Sequence, residues 1–278
     1  MFDRILTAIA LILFVSLFLF YTNNFLFYTI LSLLFLYAFF EWLSLANVNN
    51  LRKTLNLSFF LAAMISSFFY SSPSFITMIF YLALVFWIFV AIMLITNKSL
   101  INIIHRNYNI LGLFIFYTCW LCIISINNLN NTLIFEIPFS HDSVDHSTIN
   151  HFIFIIILIS LSDISGYLFG RIFGRNKLSA SISPNKTIEG FIASIFVPTL
   201  SFYLYFIAFL SYPFFLSDLF FIIIFCTACT LGDLTVSCYK RAFEAKDSGS
   251  FLPGHGGLLD RLDSYLPTIF IYQFWMFL

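Results

Sequence analysis

Between Gly232 and Ser264 the chain gathers groups that handle phosphate. The run holds Asp233, Ser237, Lys240, Arg241, Lys246 and Asp247, then Pro253, Gly254, His255, Gly256, Gly257, Asp260, Arg261 and Asp263. Lys and Arg neutralise a polyphosphate, and bare glycine backbone lets N–H groups touch its oxygens. Asp260 and Asp263 stand three apart, so they share a face if a helix has begun there. Two carboxylates beside a phosphate suit Mg2+, which takes a few protein oxygens and completes its shell from substrate and water. Asp233 could supply a third. A salt-bridged loop on a membrane surface would explain the charges alone, but it leaves the Gly-His-Gly-Gly run without a reason.

A second polar block lies upstream. Asp163 stands in an apolar run, eight residues before Arg171. That puts it about 12 Å inside a helix end. An ionisable group at such depth costs ~2.5–3.5 kcal/mol on insertion scales and by default marks a functional cavity. The alternative is one neutral Asp in a tight small-residue helix contact, among Ser162, Ser165, Gly166 and Gly170. Further on, Ser183-Pro184-Asn185-Lys186-Thr187 reads as a turn that offers hydroxyls, N–H groups and a Lys just before a helix start. Helix N-termini favour anions. Glu189 is placed to cap that end instead. A Walker-type phosphate loop is absent, and so is a nucleophile elbow.

The elements that must hold these residues are membrane helices. Of 278 residues 61% are hydrophobic, 21% aromatic and only 9% charged. Soluble domains carry about 25% charge, so an ordinary soluble protein, a disordered chain and a charge-driven nucleic-acid binder are excluded. Nine apolar runs approach the ~20 residues a span needs: Ile5–Tyr21, Phe25–Leu43, Leu55–Tyr70, Phe75–Ile95, Ile110–Ile126, Phe152–Gly170, Gly190–Leu210, Asp218–Val236 and Leu262–Leu278. No run alternates with period two, which excludes an outer-membrane barrel. All thirteen Lys and Arg fall on alternate connections of this scheme. The positive-inside rule then puts the N-terminus and both polar blocks in the cytoplasm. Residues 1–126 read as N-terminal spans without concentrated chemistry. Residues 127–278 read as the catalytic region, with cytoplasmic loops 171–189 and 237–262. Two CxxC pairs, Cys119/Cys122 and Cys226/Cys229, lie in apolar runs and read as packing. The outer cluster His141, Asp142, Asp145, His146 and His151 reads as a solvated loop rather than a metal site.

At the phosphate-handling positions the chain resembles the phosphatidate cytidylyltransferases, or CDP-diacylglycerol synthases. The shared pattern is Ser237, Lys240, Arg241, Lys246, Asp247, Pro253, His255, Gly256, Gly257, Asp260, Arg261 and Asp263, with spacing intact. Ser162, Asp163, Ser183 to Thr187, Glu189 and Gly190 resemble a second family block. The N-terminal half matches only as apolar spans. Val236 stands where the family often has Glu, which removes a carboxylate near Asp233. Tyr239 stands where an aliphatic residue is usual, a change that looks harmless.

The resemblance implies an all-α polytopic membrane enzyme that converts CTP and phosphatidate to CDP-diacylglycerol and pyrophosphate with Mg2+. It implies Asp233, Asp260 and Asp263 as metal ligands, with a second, monovalent cation conceivable there. Lys186, Lys240, Arg241 and Lys246 would hold phosphates. Asp247 and His255 would support them or move protons. Ser183, Thr187, Ser237, Gly256, Gly257 and Arg261 would contact substrate, and Asp163 would line a cavity for the lipid head. The implied setting is a bacterial-type inner membrane. The partners are the two substrates and the bilayer, with no nucleic acid, and a homodimer is left open. Two rivals stand beside this reading. One is a CTP-dependent lipid kinase or a cytidylyltransferase for another lipid phosphate. The other is a transporter using Asp163 and Asp233 as ion sites.

Overall fold

A computed structural model describes residues 24–70, 72–96, 100–126, 146–210, 215–251 and 256–277. Its elements are α1 (Asn24–Leu45), α2 (Asn50–Tyr70), α3 (Pro73–Ile95), α4 (Leu100–Ile126), α5 (His146–Phe173), β1 (Lys177–Ser179), β2 (Ser183–Thr187), α6 (Ile188–Tyr205), α7 (Leu216–Ala242), α8 (Leu259–Leu262) and α9 (Tyr265–Phe277). The fold is thus an all-α bundle with one small hairpin. The first expected span, Ile5–Tyr21, and the residues His141, Asp142, Asp145 and His255 lie outside the described residues.

Among the described residues six helices are long and apolar enough to cross a membrane: α1, α3, α4, α5, α6 and α7. They bury one face and expose the other. On α5 Ile157, Ile164, Leu168 and Ile172 are exposed, and on α6 Ile192, Phe196 and Leu204. Such faces need lipid, and the chain is an integral membrane protein. In α2 the residues Arg52, Lys53, Thr54 and Asn56 dilute the apolar character. The last expected span, Leu262–Leu278, is short. It breaks at Asp263, and α9 has only 13 residues, roughly 20 Å against a core of about 30 Å.

Tight contacts hold the polar ends together. Helices α5 and α6 meet through Gly166, Gly170 and Gly190, where a Cβ on Gly190 would lie 2.6 Å from the Gly166 carbonyl oxygen. Backbones approach this closely only where small residues line the contact. The hairpin pairs β1 with β2 antiparallel, Lys177 opposite Thr187 and Ser179 opposite Ser183. The segment Ser183–Thr187 is therefore a strand and not the expected turn. Its last residue caps α6, because the Thr187 hydroxyl accepts from the Gly190 amide at 3.1 Å. Glu189 reaches back and accepts from the Arg175 and Asn176 amides, which fixes the hairpin on the end of α5.

At the same end α1, α4 and α7 join. The rings of Trp42 and Tyr239 stack with centroids 3.4 Å apart. The Tyr239 hydroxyl donates to the Trp42 carbonyl at 2.6 Å, and Trp42 Nε1 donates to the Tyr108 carbonyl at 2.9 Å. The Trp42 carbonyl is among the last four of α1, which have no partner within their own helix. Tyr239 supplies one. What looked like a harmless departure is a lock between α7 and α1. Tyr239→Phe keeps the stack and deletes the donor, so a loss of about 1 kcal/mol is expected. Thermal unfolding in detergent should show a lower midpoint, and an unchanged midpoint would remove the lock. At the opposite end His151, expected in a solvated loop, is buried and hydrogen-bonded to the Tyr272 hydroxyl. All four CxxC cysteines are buried and free, in keeping with packing roles.

Candidate functional site

Three carboxylates converge well inside the bundle. Asp163 lies ten residues before the end of α5 at Phe173, and Asp233 nine before the end of α7 at Ala242. Each is thus about 14–15 Å in from its helix end. Asp263 follows α8 in the break before α9. Asp163 and Asp263 lie within electrostatic range of each other, of Asp233 and of Lys186, and Arg261 adds a second cation near Asp163. Irregular backbone at this depth is tolerated only where protein buries it or a cavity lines it. Asp163 is accessible although protein surrounds it on most sides, so it lines a crevice.

Lys186 enters the crevice from β2. Its Nζ sits 2.5 Å from Asp233 Oδ2, and both side chains are partly accessible, at 24% and 34%. Ser237, one turn beyond Asp233 on α7, donates to Asp233 Oδ1 at 3.3 Å. Gly232 lets the Asp263 backbone approach α7, since a Cβ there would press into the Asp263 carbonyl oxygen and lie 2.8 Å from Pro267 Cδ. Asp263 Oδ1 accepts from the Ser264 amide at 2.8 Å. Tyr265 lies within range of Asp163 and Asp263.

Asp260 goes elsewhere. Its Oδ1 accepts from Lys240 Nζ at 2.7 Å. Its Oδ2 accepts from the Ser248 amide at 2.9 Å and the Gly257 amide at 3.1 Å. Burial opposes the charge, but the Lys240 hydrogen bond and the two amides outweigh it and hold the Asp260 carboxyl below its ordinary range. With both oxygens committed, Asp260 shapes the loop between α7 and α8 rather than facing Asp263. The Gly257 amide is likewise turned inward, not toward a ligand. Gly256 has φ +82°, a conformation that glycine adopts without strain. Arg241 donates from Nε to the Ile182 carbonyl at 3.4 Å and ties the hairpin to α7. Lys246 and Asp247 are exposed. Ser183 is half-buried, and the Thr187 hydroxyl serves as the cap already described.

Asp163, Asp233, Asp263 and Lys186 are therefore brought together, while Asp260 and Lys240 form a separate pair 20 residues apart in sequence. Among the described residues no group of three or more His, Cys, Asp and Glu stands at metal-ligand spacing. Asp233 and Asp263 nonetheless have the hard oxygens that Mg2+ prefers. One or two carboxylates are enough when substrate phosphates complete the shell.

One residue of this end escaped the sequence reading. Glu41 of α1 is only 3% exposed. Its Oε2 accepts from the Ser248 hydroxyl at 3.1 Å and from the Leu259 amide at 2.8 Å.

Known proteins are similar to this chain in sequence. The chain is similar to phosphatidate cytidylyltransferase of Staphylococcus aureus strain COL, at 43% identity over 122 residues, or 42% of this chain and 45% of the relative. The Staphylococcus saprophyticus protein of the same name is 43% identical over 123 residues, with the same shares of 42% and 45%. That of Staphylococcus epidermidis is 42% identical over 122 residues, again covering 42% and 45%. The chain thus spans just under half the length of the curated relatives it matches. The profile of the Cytidylyltransferase family reaches much further and matches residues 2–278. Since that match takes in both polar blocks and the helices that carry them, the chain belongs to the Cytidylyltransferase family.

Proposed function

We propose that the chain transfers the cytidylyl group of CTP to phosphatidate, giving CDP-diacylglycerol and pyrophosphate at the cytoplasmic face of a membrane. The observation that carries this reading is the crevice in which Asp163, Asp233 and Asp263 meet Lys186 and Arg261. A membrane-embedded pocket with mixed charge suits two anions, one of them held by its tails in the bilayer. The phosphatidate name of the relatives supports the lipid, and the family supports the cytidylyl group.

In the proposed reaction a phosphatidate oxygen attacks the α-phosphorus of CTP. The bond to the bridging oxygen breaks, and pyrophosphate leaves with that electron pair. A phosphate oxygen is already a nucleophile, so the protein's work is to position the anions and spread charge. Lys186 and Arg261 would offset phosphate charge in the crevice. Lys240 would act mainly through its pair with Asp260, keeping the loop in shape. Lys246 and Arg241 stand toward the water and would receive the distal phosphates. Asp163 would border the lipid head. Asp233 and Asp263 would hold Mg2+, with Ser237 fixing Asp233. When bound, that ion would stabilise the charge building on the transferring and leaving oxygens.

The orientation rests on charge. Every Lys and Arg falls on alternate connections, and contacts such as Trp42 to Tyr108, Arg241 to Ile182 and Lys186 to Asp233 join four of these polar ends.

The test uses sealed inside-out vesicles carrying the chain, supplied with phosphatidate, Mg2+ and CTP labelled at the α- or γ-phosphate. Label from the α position should enter lipid, and γ label should leave as pyrophosphate. Right-side-out vesicles should stay inactive until permeabilised. Entry of γ label into lipid would instead establish a kinase. Turnover in sealed right-side-out vesicles would reverse the orientation.

A further inference from the structure

Glu41 is a carboxylate in the wrong place for a structural acid. It stands in a candidate span, near the C-terminal end of α1, where the helix dipole disfavours negative charge. It is 3% exposed. Such a group persists only where specific donors meet it. Both donors come from the glycine-rich loop, 207 and 218 residues further along the chain.

Those donors mark the two ends of the loop. Ser248 opens it and Leu259 closes it. Glu41 Oε2 takes the Ser248 hydroxyl and the Leu259 amide. From the other side Asp260 Oδ2 takes the Ser248 and Gly257 amides. Ser248 is thus gripped twice, through its hydroxyl by Glu41 and through its amide by Asp260. The glycines fit the same contact. A Cβ on Gly249 would lie 2.6 Å from Glu41 Oε1, and one on Gly257 would lie 2.5 Å from Oε2. Glu41 Oε1 itself has no hydrogen-bond partner, so its near neighbours are the bare faces of two glycines. Both polar contacts of this carboxylate are protein donors, and it is too enclosed to touch substrate.

We infer that Glu41 is a positioning residue. It clasps the loop from Ser248 to Leu259 so that Lys246 and Arg261 are presented to the nucleotide phosphates. This rests on the proposed CTP-dependent reaction. Helix α1 then takes part in nucleotide binding through the loop it holds, although it carries none of the phosphate-handling motifs.

The test compares the full-length chain with Glu41→Ala, Glu41→Gln and Ser248→Ala in lipid vesicles, by steady-state kinetics and by backbone hydrogen exchange. Glu41→Ala should raise KM for CTP tenfold or more and leave KM for phosphatidate unchanged. Exchange across 246–260 should accelerate at least tenfold, with α5 and α6 unaffected. Glu41→Gln keeps a carbonyl oxygen for both donors and should restore most of what Ala loses. Ser248→Ala removes one donor and should fall between. Wild-type KM for CTP with wild-type exchange in Glu41→Ala would overturn the inference. Equal damage by Gln and Ala would also overturn it, because charge and not position would then be the requirement. If Glu41→Ala fails to insert, unchanged exchange in Ser248→Ala overturns it and faster exchange supports it. A wild-type chain that moves no label from CTP would sink the proposed reaction, and the exchange comparison would still decide the clasp.

Discussion

Asp263→Asn is expected to lower cytidylyl transfer by roughly 100-fold or more. Asn keeps the shape of the side chain and can still accept from the Ser264 amide, as Asp263 does at 2.8 Å. What it removes is one of the three carboxyl groups in the crevice. If Asp233 and Asp263 hold Mg2+ together, one charged ligand disappears and the ion must be gripped by a single carboxylate and substrate. The Mg2+ midpoint of the rate should then rise with the loss in kcat. The same substitution should not harm folding, because Asn keeps the volume of the side chain and its contact with the Ser264 amide. Activity measured across a Mg2+ titration, beside a thermal midpoint in detergent, separates the two effects. A wild-type rate with an unchanged Mg2+ midpoint would take Asp263 out of the site. Asp260→Asn is a useful contrast. It weakens the pair with Lys240 and the hold on Ser248 and Gly257, so its damage should appear as loop mobility, with the Mg2+ midpoint little changed.

Gly232→Ala should reach a loss of similar size by geometry alone. A methyl group at this position would press into the Asp263 carbonyl oxygen and crowd Pro267 Cδ at 2.8 Å. One obstacle is backbone and the other a proline ring, so neither can swing aside. The start of α9 must move away from α7, and Asp263 moves with it. A displacement of about 1 Å at reacting groups can cost on the order of 100-fold. Overpacking of this kind costs ~1–3 kcal/mol, enough to lower the thermal midpoint without preventing insertion. Combined with Asp263→Asn, the second substitution should add far less than its own effect, since both act on one carboxylate. Full activity in Gly232→Ala, or strictly multiplicative losses in the double variant, would contradict this packing.

The spans were legible because apolar runs of this length leave a chain few options. The helix ends were less so. Helix α4 begins at Leu100, ten residues before the apolar run at Ile110, and α7 runs on to Ala242 beyond Val236. Those extensions carry His105, Arg106, Lys240 and Arg241, so a reading that follows unbroken apolar runs stops short of them. The hairpin was illegible for a different reason. Its strands have three and five residues, one with a proline, too short for a period to appear. Within the site, charge at depth singled out Asp163, which the fold sets near Asp233 and Lys186. Glu41 bore the same mark, as the one acidic residue between Asp3 and Glu136 and inside an apolar run. Its purpose depends on partners more than 200 residues away, which no local pattern contains. The pairing of Asp260 with Lys240 is equally non-local. A three-residue spacing placed Asp260 beside Asp263 on a helix face, but the oxygens were already taken by a loop that had folded back.

The link between Glu41 and its distant donors also sets an order of events during synthesis. At about 5–20 residues per second, the ribosome delivers Ser248 on the order of 10–40 s after Glu41. Through that interval α1 carries an acid in its span with neither of those donors yet made. The same wait holds for the Trp42 carbonyl, whose donor Tyr239 arrives 197 residues later. Helix α1 therefore reaches its full set of contacts only late in synthesis. Its final packing is completed from the C-terminal side, when the segment from Tyr239 to Leu259 returns to meet it.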